Sequence, residues 1–369
     1  MRKLFIGITA FILTLVTLLG GCSCVPSAPL SFKNNFSGTE TGTNFTNTYK
    51  EVLTYDVSYV QEYNSYVKKS ESIPIELVPE YSGTYTMVFT GDLVSLPDNV
   101  TTDLETLITD SPIHMLETKL DLAVKIGAET YHDEIYTKAI FYSAGYSFAP
   151  VYSYTILKNT FIQINTDTNE TLPSIRIYEY ETVYNEDFYT MSKKYYNPGT
   201  QTLAETNAAI KDLDIFNLDK TKMLDIEETE EYDYTFREVI DNNQLLFAIR
   251  NVDIEVEDSA TIPTVSPTYG DETDLAVTNN TASTKTVKLT YNGGAEYEES
   301  IAVNDISFVI SGTDNVGTQQ FISIQNAKGE KTPYRALPIE FAQALVDYGP
   351  SFSQMGALKY TLKSITVTE

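Results

Sequence analysis

Apolar side chains recur at every second position along most of this chain. In EVLTYDVSYV (51–60), Leu53, Tyr55, Val57 and Tyr59 alternate with smaller or polar residues, the mark of a strand with one buried face. GTYTMVFTG (Gly83–Gly91) reads as a short strand between glycines. HMLETKLDLAVKIG, IYTKAIFYS, PVYSYTILKN, SIRIYEYETVYN and FYTMSKKYY continue the pattern, separated by turn clusters such as Tyr146–Pro150 and Asn165–Asn169. Long strands joined by short turns predict an antiparallel meander, because parallel neighbours need helical crossovers. TVKLTYNG, NDISFVISGTDN, TQQFISIQNA and LKYTLKSITVTE resume the strands near the C-terminus, and PIEFAQALVDYG (Pro338–Gly349) fits either a strand or a short helix.

One segment breaks this period. In IDNNQLLFAIRNVDI (Ile240–Ile254), Asp241 is a good N-cap and Gln244, three residues on, can complete a capping box. Leu245, Leu246, Ile249 and Val252 follow helical spacing, while Phe247 and Ala248 add apolar area on another side. A short helix that is apolar nearly all round belongs inside a protein. The expected fold is therefore mainly β: one large, curled antiparallel sheet, half-barrel-like, with a buried short helix near Asp241–Asn251 in its concave face. Residues 255–285, poor in bulky apolar side chains and broken by Pro263 and Pro267, read as a long loop or insertion.

The N-terminus obeys another rule. Arg2 and Lys3 precede an apolar run, Leu4–Leu19, which ends in Gly20, Gly21 and Cys22. That order is a secretory signal peptide over residues 1–21, too short and too glycine-terminated for a membrane-spanning helix. Leu19-Gly20-Gly21-Cys22 also resembles the lipobox of bacterial lipoproteins. The resemblance implies diacylglycerol on the Cys22 thiol, cleavage just before it, and attachment to a cell membrane or outer membrane facing away from the cytoplasm. Several acyl chains on one residue anchor firmly, at about 0.8 kcal/mol per buried CH₂. Residues 22–47, rich in Ser, Thr, Asn and Gly, read as a flexible tether, and 48–369 as the folded body.

Only two cysteines occur, Cys22 and Cys24, so the body has no internal disulfide and no thiolate chemistry. Without Arg2 and Lys3, 51 acidic residues face 23 basic ones, a net of −28. A surface so acidic repels nucleic-acid phosphates, and no nucleic-acid partner is expected.

Motifs for chemistry are sparse. G-x-S-x-G, H-E-x-x-H, phosphate-binding and dinucleotide-binding loops are all absent. Ser65–Lys68 matches S-x-x-K without companion motifs. His132-Asp133-Glu134 reads as an ordinary charged turn rather than a metal site, since a catalytic zinc wants three protein ligands and the chain has two histidines. DIEETEEYDY (Asp225–Tyr234) lacks the glycine and spacing of a calcium loop and reads as a solvated loop or edge. Neither a cofactor nor an enzymatic activity is expected. Tyr152, Tyr154, Tyr178, Tyr180, Tyr184, Tyr189, Tyr195 and Tyr196 either form a binding surface or cover the sheet.

The strand–turn–strand AIFYSAGYSFAPVYSY and the plug-like DNNQLLFAIR make the body resemble the half-barrel of the Lol lipoprotein carriers and related envelope lipoproteins, over about two thirds of the chain. The resemblance implies a lipid or other apolar ligand held in the concave face, with Leu245, Leu246 and Ile249 as ligand-binding residues. The alternative is an envelope protein–protein interaction or adhesion module with no ligand cavity. Room beside those three side chains separates the two.

Overall fold

The computed structural model describes residues 49–60, 79–91, 96, 100–104, 113–144, 147–164, 171–226, 229–234, 239–250, 259–266, 272–310, 321–327, 337–347 and 353–368. The signal peptide, Cys22, Cys24, the tether, Ser65–Lys68 and Asn165–Asn169 lie outside these.

Alternating side chains produce the strands, and short turns produce their order. The first half is a meander of β1 (Lys50–Val60), β2 (Glu80–Thr90), β3 (Ile113–Ile126), β4 (Glu129–Ala144), β5 (Ser147–Ile164), β6 (Thr171–Tyr184) and β7 (Phe188–Tyr196). Two short strands, β8 (Met223–Asp225) and β9 (Glu230–Asp233), both pair with β7. The second half comprises β10 (Ile240–Asp241), β11 (Ser259–Val265), β12 (Glu272–Tyr291), β13 (Tyr297–Ile310), β14 (Phe321–Ala327), β15 (Leu337–Asp347) and β16 (Ser353–Thr368). The halves join where β16 pairs with β1 along their lengths, giving one 16-stranded sheet that ends at β10 on one side and β8 on the other. The sheet is thus large, mainly antiparallel and not closed.

Its curl is visible in two places. Tyr291 at the end of β12 pairs in parallel with Ile365 of β16, although β13, β14 and β15 separate the two strands in the sheet, so this part bends back on itself. The largest core cluster also draws on both halves. Tyr55 and Tyr85 meet Phe341 at ring distances of 5.3 and 5.8 Å, and Phe341 stacks on Tyr360 at 4.2 Å. Gly83 permits the close passage of β2 over β3, because a Cβ there would stand 1.9 Å from the Asp121 carbonyl oxygen.

The structure corrects two of the sequence expectations, selects between the alternatives at a third segment and adds a helix. Residues 255–285 do not form one long loop: Ser259–Val265 is β11 and Glu272 onward is β12, where threonines and small residues suit a largely exposed strand. Pro338–Gly349 resolves to strand over Leu337–Asp347. His132-Asp133-Glu134 lies within β4, the turn falling at Gly127 with its φ of 59°. A second helix, α1 (Leu203–Ile210), was not anticipated. It carries a complete capping box, with Thr202 accepting from the Glu205 N–H and Glu205 accepting from the Thr202 N–H. It packs Ile210 against Ile156, Ile175 and Ile177 on the convex face, beside Ile215 and Leu218.

Candidate functional site

The concave face is occupied by residues 240–250, built as expected around a short helix but capped differently. Asp241 accepts from the Asn243 N–H at 2.7 Å and so caps a 3₁₀ turn, Asn242–Gln244, ahead of α2 (Leu245–Ile249). Gln244 does not complete a capping box. Its amide donates to the Phe148 carbonyl at 2.6 Å. Five apolar residues in succession give α2 no polar face, and all five are buried.

Polar contacts fix this plug at both ends. At the start, the Tyr184 hydroxyl donates to Asp241 Oδ2 at 2.5 Å, and Asn243 Nδ2 donates to Ser153 Oγ and Thr155 Oγ1 at 2.7 and 2.9 Å. At the finish, Arg250 makes a forked contact with Glu51 on β1, at 2.5 and 3.1 Å, both side chains being almost wholly buried. Between them Phe247 stacks on Phe89 at 4.4 Å and meets Phe148 edge-on at 5.6 Å. Burial raises the Asp241 carboxyl to about 6, with Tyr184, Asn243 and Ser153 opposing the shift, and Tyr184 itself is pushed well above the usual tyrosine range.

Leu245, Leu246 and Ile249, the expected ligand-binding residues, expose 0, 3 and 1% of their surface. They belong to the core cluster with Phe89, Phe141 and Phe148. Arg250 and Glu51, which hold the plug in place, escaped the sequence reading. Their signals were there: an arginine ending an apolar helix, and a glutamate in register with Leu53, Tyr55 and Val57 on the inward face of β1.

Two further groups face opposite sides of β4. Outward, Asp121 Oδ1 lies 2.6 Å from His132 Nε2, and Glu134 Oε2 lies 4.0 Å from His132 Nδ1. The three ligand atoms fall within 4.8 Å of one another. Glu134, however, is already paired with buried Lys158 at 3.0 Å, and Lys158 also donates to the Leu213 carbonyl at 2.7 Å, tying the α1 segment to the sheet. These contacts satisfy the cluster as an ion-pair network. Inward, Asp133 accepts from the Thr160 N–H at 2.8 Å, and burial raises its carboxyl to about 7. His114, its ring tilted against Phe89 and Phe141, is lowered by burial to about 4.

The eight tyrosines range from core to half-buried. Tyr184 and Tyr189 are core, Tyr152 and Tyr196 are buried, and Tyr154, Tyr178, Tyr180 and Tyr195 stay half-buried. Among the described residues no helix is long and apolar enough to cross a membrane.

No protein-family model matches the sequence, and no curated protein does. Among solved structures, a β-barrel-like protein of domain of unknown function DUF1849 from Brucella abortus is similar over 88% of this chain and 100% of its own, with 6% identity and a TM-score of 0.43.

Proposed function

We propose that the chain is a lipid-anchored envelope protein, tethered through Cys22, whose body is a non-enzymatic interaction module rather than a carrier with its ligand beneath the plug. The observation that carries this reading is the covered state of Leu245, Leu246 and Ile249. A carrier of the expected kind needs a pocket of several hundred Å³ beside them, and the aromatic packing and two polar clamps around the plug support the reading without one. The excess of 51 acidic over 23 basic residues after cleavage keeps such a body away from an anionic membrane surface while the tether holds it nearby.

Native mass spectrometry of residues 26–369, incubated with an envelope lipid extract, tests the reading. The expected result is one apo mass before and after incubation. A discrete added mass, lost in a folded Leu246→Asp variant, would restore the carrier. Metabolic labelling with an alkynyl fatty acid tests the anchor, with label expected on the wild-type chain and absent from Cys22→Ala.

A further inference from the structure

The free edge formed by β8 and β9 is amphipathic at the spacing of a strand. Both pair with β7 on one side, and among the described residues no strand pairs on the other. Leu224 lies opposite Tyr195, Tyr232 lies opposite Tyr189, and the Ile226 N–H donates to the Lys193 carbonyl. Those β7 residues share the face of Tyr178 and Tyr180, so Leu224, Ile226 and Tyr232 form an apolar row at the rim of the concave side. Asp225, Glu231 and Asp233 occupy the other face and are exposed.

Two observations mark this edge as unfinished among the described residues. Leu224 and Ile226 are 40 and 42% exposed, and with Phe216 they are the large apolar side chains left exposed among the described residues. The acidic row is also poorly answered. Lys194 lies opposite Asp225, but Glu231 and Asp233 lie opposite Thr190 and Phe188; Glu230, opposite Met191 on the face of Tyr232, is instead held by Lys193 at 3.1 Å. Among the described residues neither of those two carboxylates has a basic partner within ion-pair distance.

We propose that this edge takes up an extended segment of another protein, one alternating apolar and basic residues, as an added antiparallel strand. Main-chain hydrogen bonds supply the attachment, and the two faces supply selectivity. Apolar side chains of the guest continue the Leu224–Ile226–Tyr232 row, while its lysines or arginines oppose Asp225, Glu231 and Asp233. A second copy of this chain is the wrong guest, because self-pairing sets like charges against one another, a common protection of edge strands. The inference rests on the interaction-module reading and names the chemistry of its partner.

The test uses a blocked synthetic peptide of about ten residues, a common strand length, alternating lysine with valine and tyrosine. Calorimetric titration into the soluble body should show saturable binding that weakens with salt, together with slowed amide exchange in β8 and β9. The same composition with two prolines inserted should bind roughly tenfold more weakly or less, as should the lysine peptide on a Leu224→Gln/Ile226→Gln body. Equal binding of the proline peptide would reduce the effect to charge attraction and overturn the proposal. So would no binding at all, or a body that dimerises through this edge and excludes the peptide. None of these outcomes adds lipid mass to the body, so failure here is distinguishable from failure of the interaction-module reading.

Discussion

Replacing Arg250 by methionine should destabilise the fold far beyond the loss of one surface contact. Arg250 and Glu51 stand 199 residues apart in sequence, and their side chains are 1 and 4% exposed. Methionine fills a similar volume but leaves the Glu51 carboxylate buried, with, among the described residues, the Tyr49 hydroxyl approaching it at 3.4 Å. An orphaned buried charge of this kind costs about 3–5 kcal/mol, against a total stability of about 5–15 kcal/mol for a typical domain. The same physics predicts a recovery. Glu51→Leu combined with Arg250→Met removes both desolvation costs and should return to within about 1–2 kcal/mol of wild type. Urea unfolding followed by tyrosine fluorescence suits a chain with 27 tyrosines and no tryptophan. A single variant that loses less than about 1 kcal/mol would show the pair to be hydrated. A double variant as unstable as the single would place the damage in packing around Phe247 and not in the unpaired charge.

Three other changes test separate parts of the molecule. Asp133 is raised from 3.8 to about 7, so between those values the folded chain keeps a proton that the unfolded chain has released. Stability from this group is therefore lost as pH rises through that window, by about 4 kcal/mol, and Asp133→Asn should be the more stable form above it, with a correspondingly flatter pH dependence of melting. Gly83→Ala should lower the melting temperature sharply, because its Cβ meets main-chain oxygen at 1.9 Å and neither strand can yield without breaking the β2–β3 ladder; an unchanged melt would refute that close approach. Phe247→Ala should cost about 3–5 kcal/mol by opening a cavity between Phe89, Phe141 and Phe148, measurable in the same urea series.

What could be read from the sequence follows what is local. Period-2 alternation located β1 to β7 because each strand carries its own buried face, and the uniform apolarity of Leu245–Ile249 placed α2 inside. Residues 255–285 misled because β12 is held by its ladders to β11 and β13, with few bulky side chains to signal it. The α1 segment was missed although Thr202 and Glu205 spell a capping box, since one moderately apolar turn among tyrosine-rich strands does not stand out. The plug's clamps were illegible for another reason. Glu51 and Arg250, or Ser153 and Asn243, become neighbours only once the sheet has curled, and no local spacing encodes that meeting. The amphipathic edge was half legible: the acids of DIEETEEYDY were evident, but the row of Leu224, Ile226 and Tyr232 appears only against β7.

The pairing of β16 with β1 governs when this protein can finish folding. Lys50 opposes Thr368 and Tyr59 opposes Leu358, so the second strand of the seam is made about three hundred residues after the first. While the chain is being synthesised, β1 to β9 can assemble as a meander with β1 as its bare flank, and that flank carries Leu53, Tyr55 and Val57 meant for the core. Unpaired, apolar strand edges are the usual starting points of misassembly. The period of greatest aggregation risk is therefore set by the time the C-terminus takes to arrive, and a slower synthesis or a truncation at β16 lengthens it whatever the stability of the completed sheet.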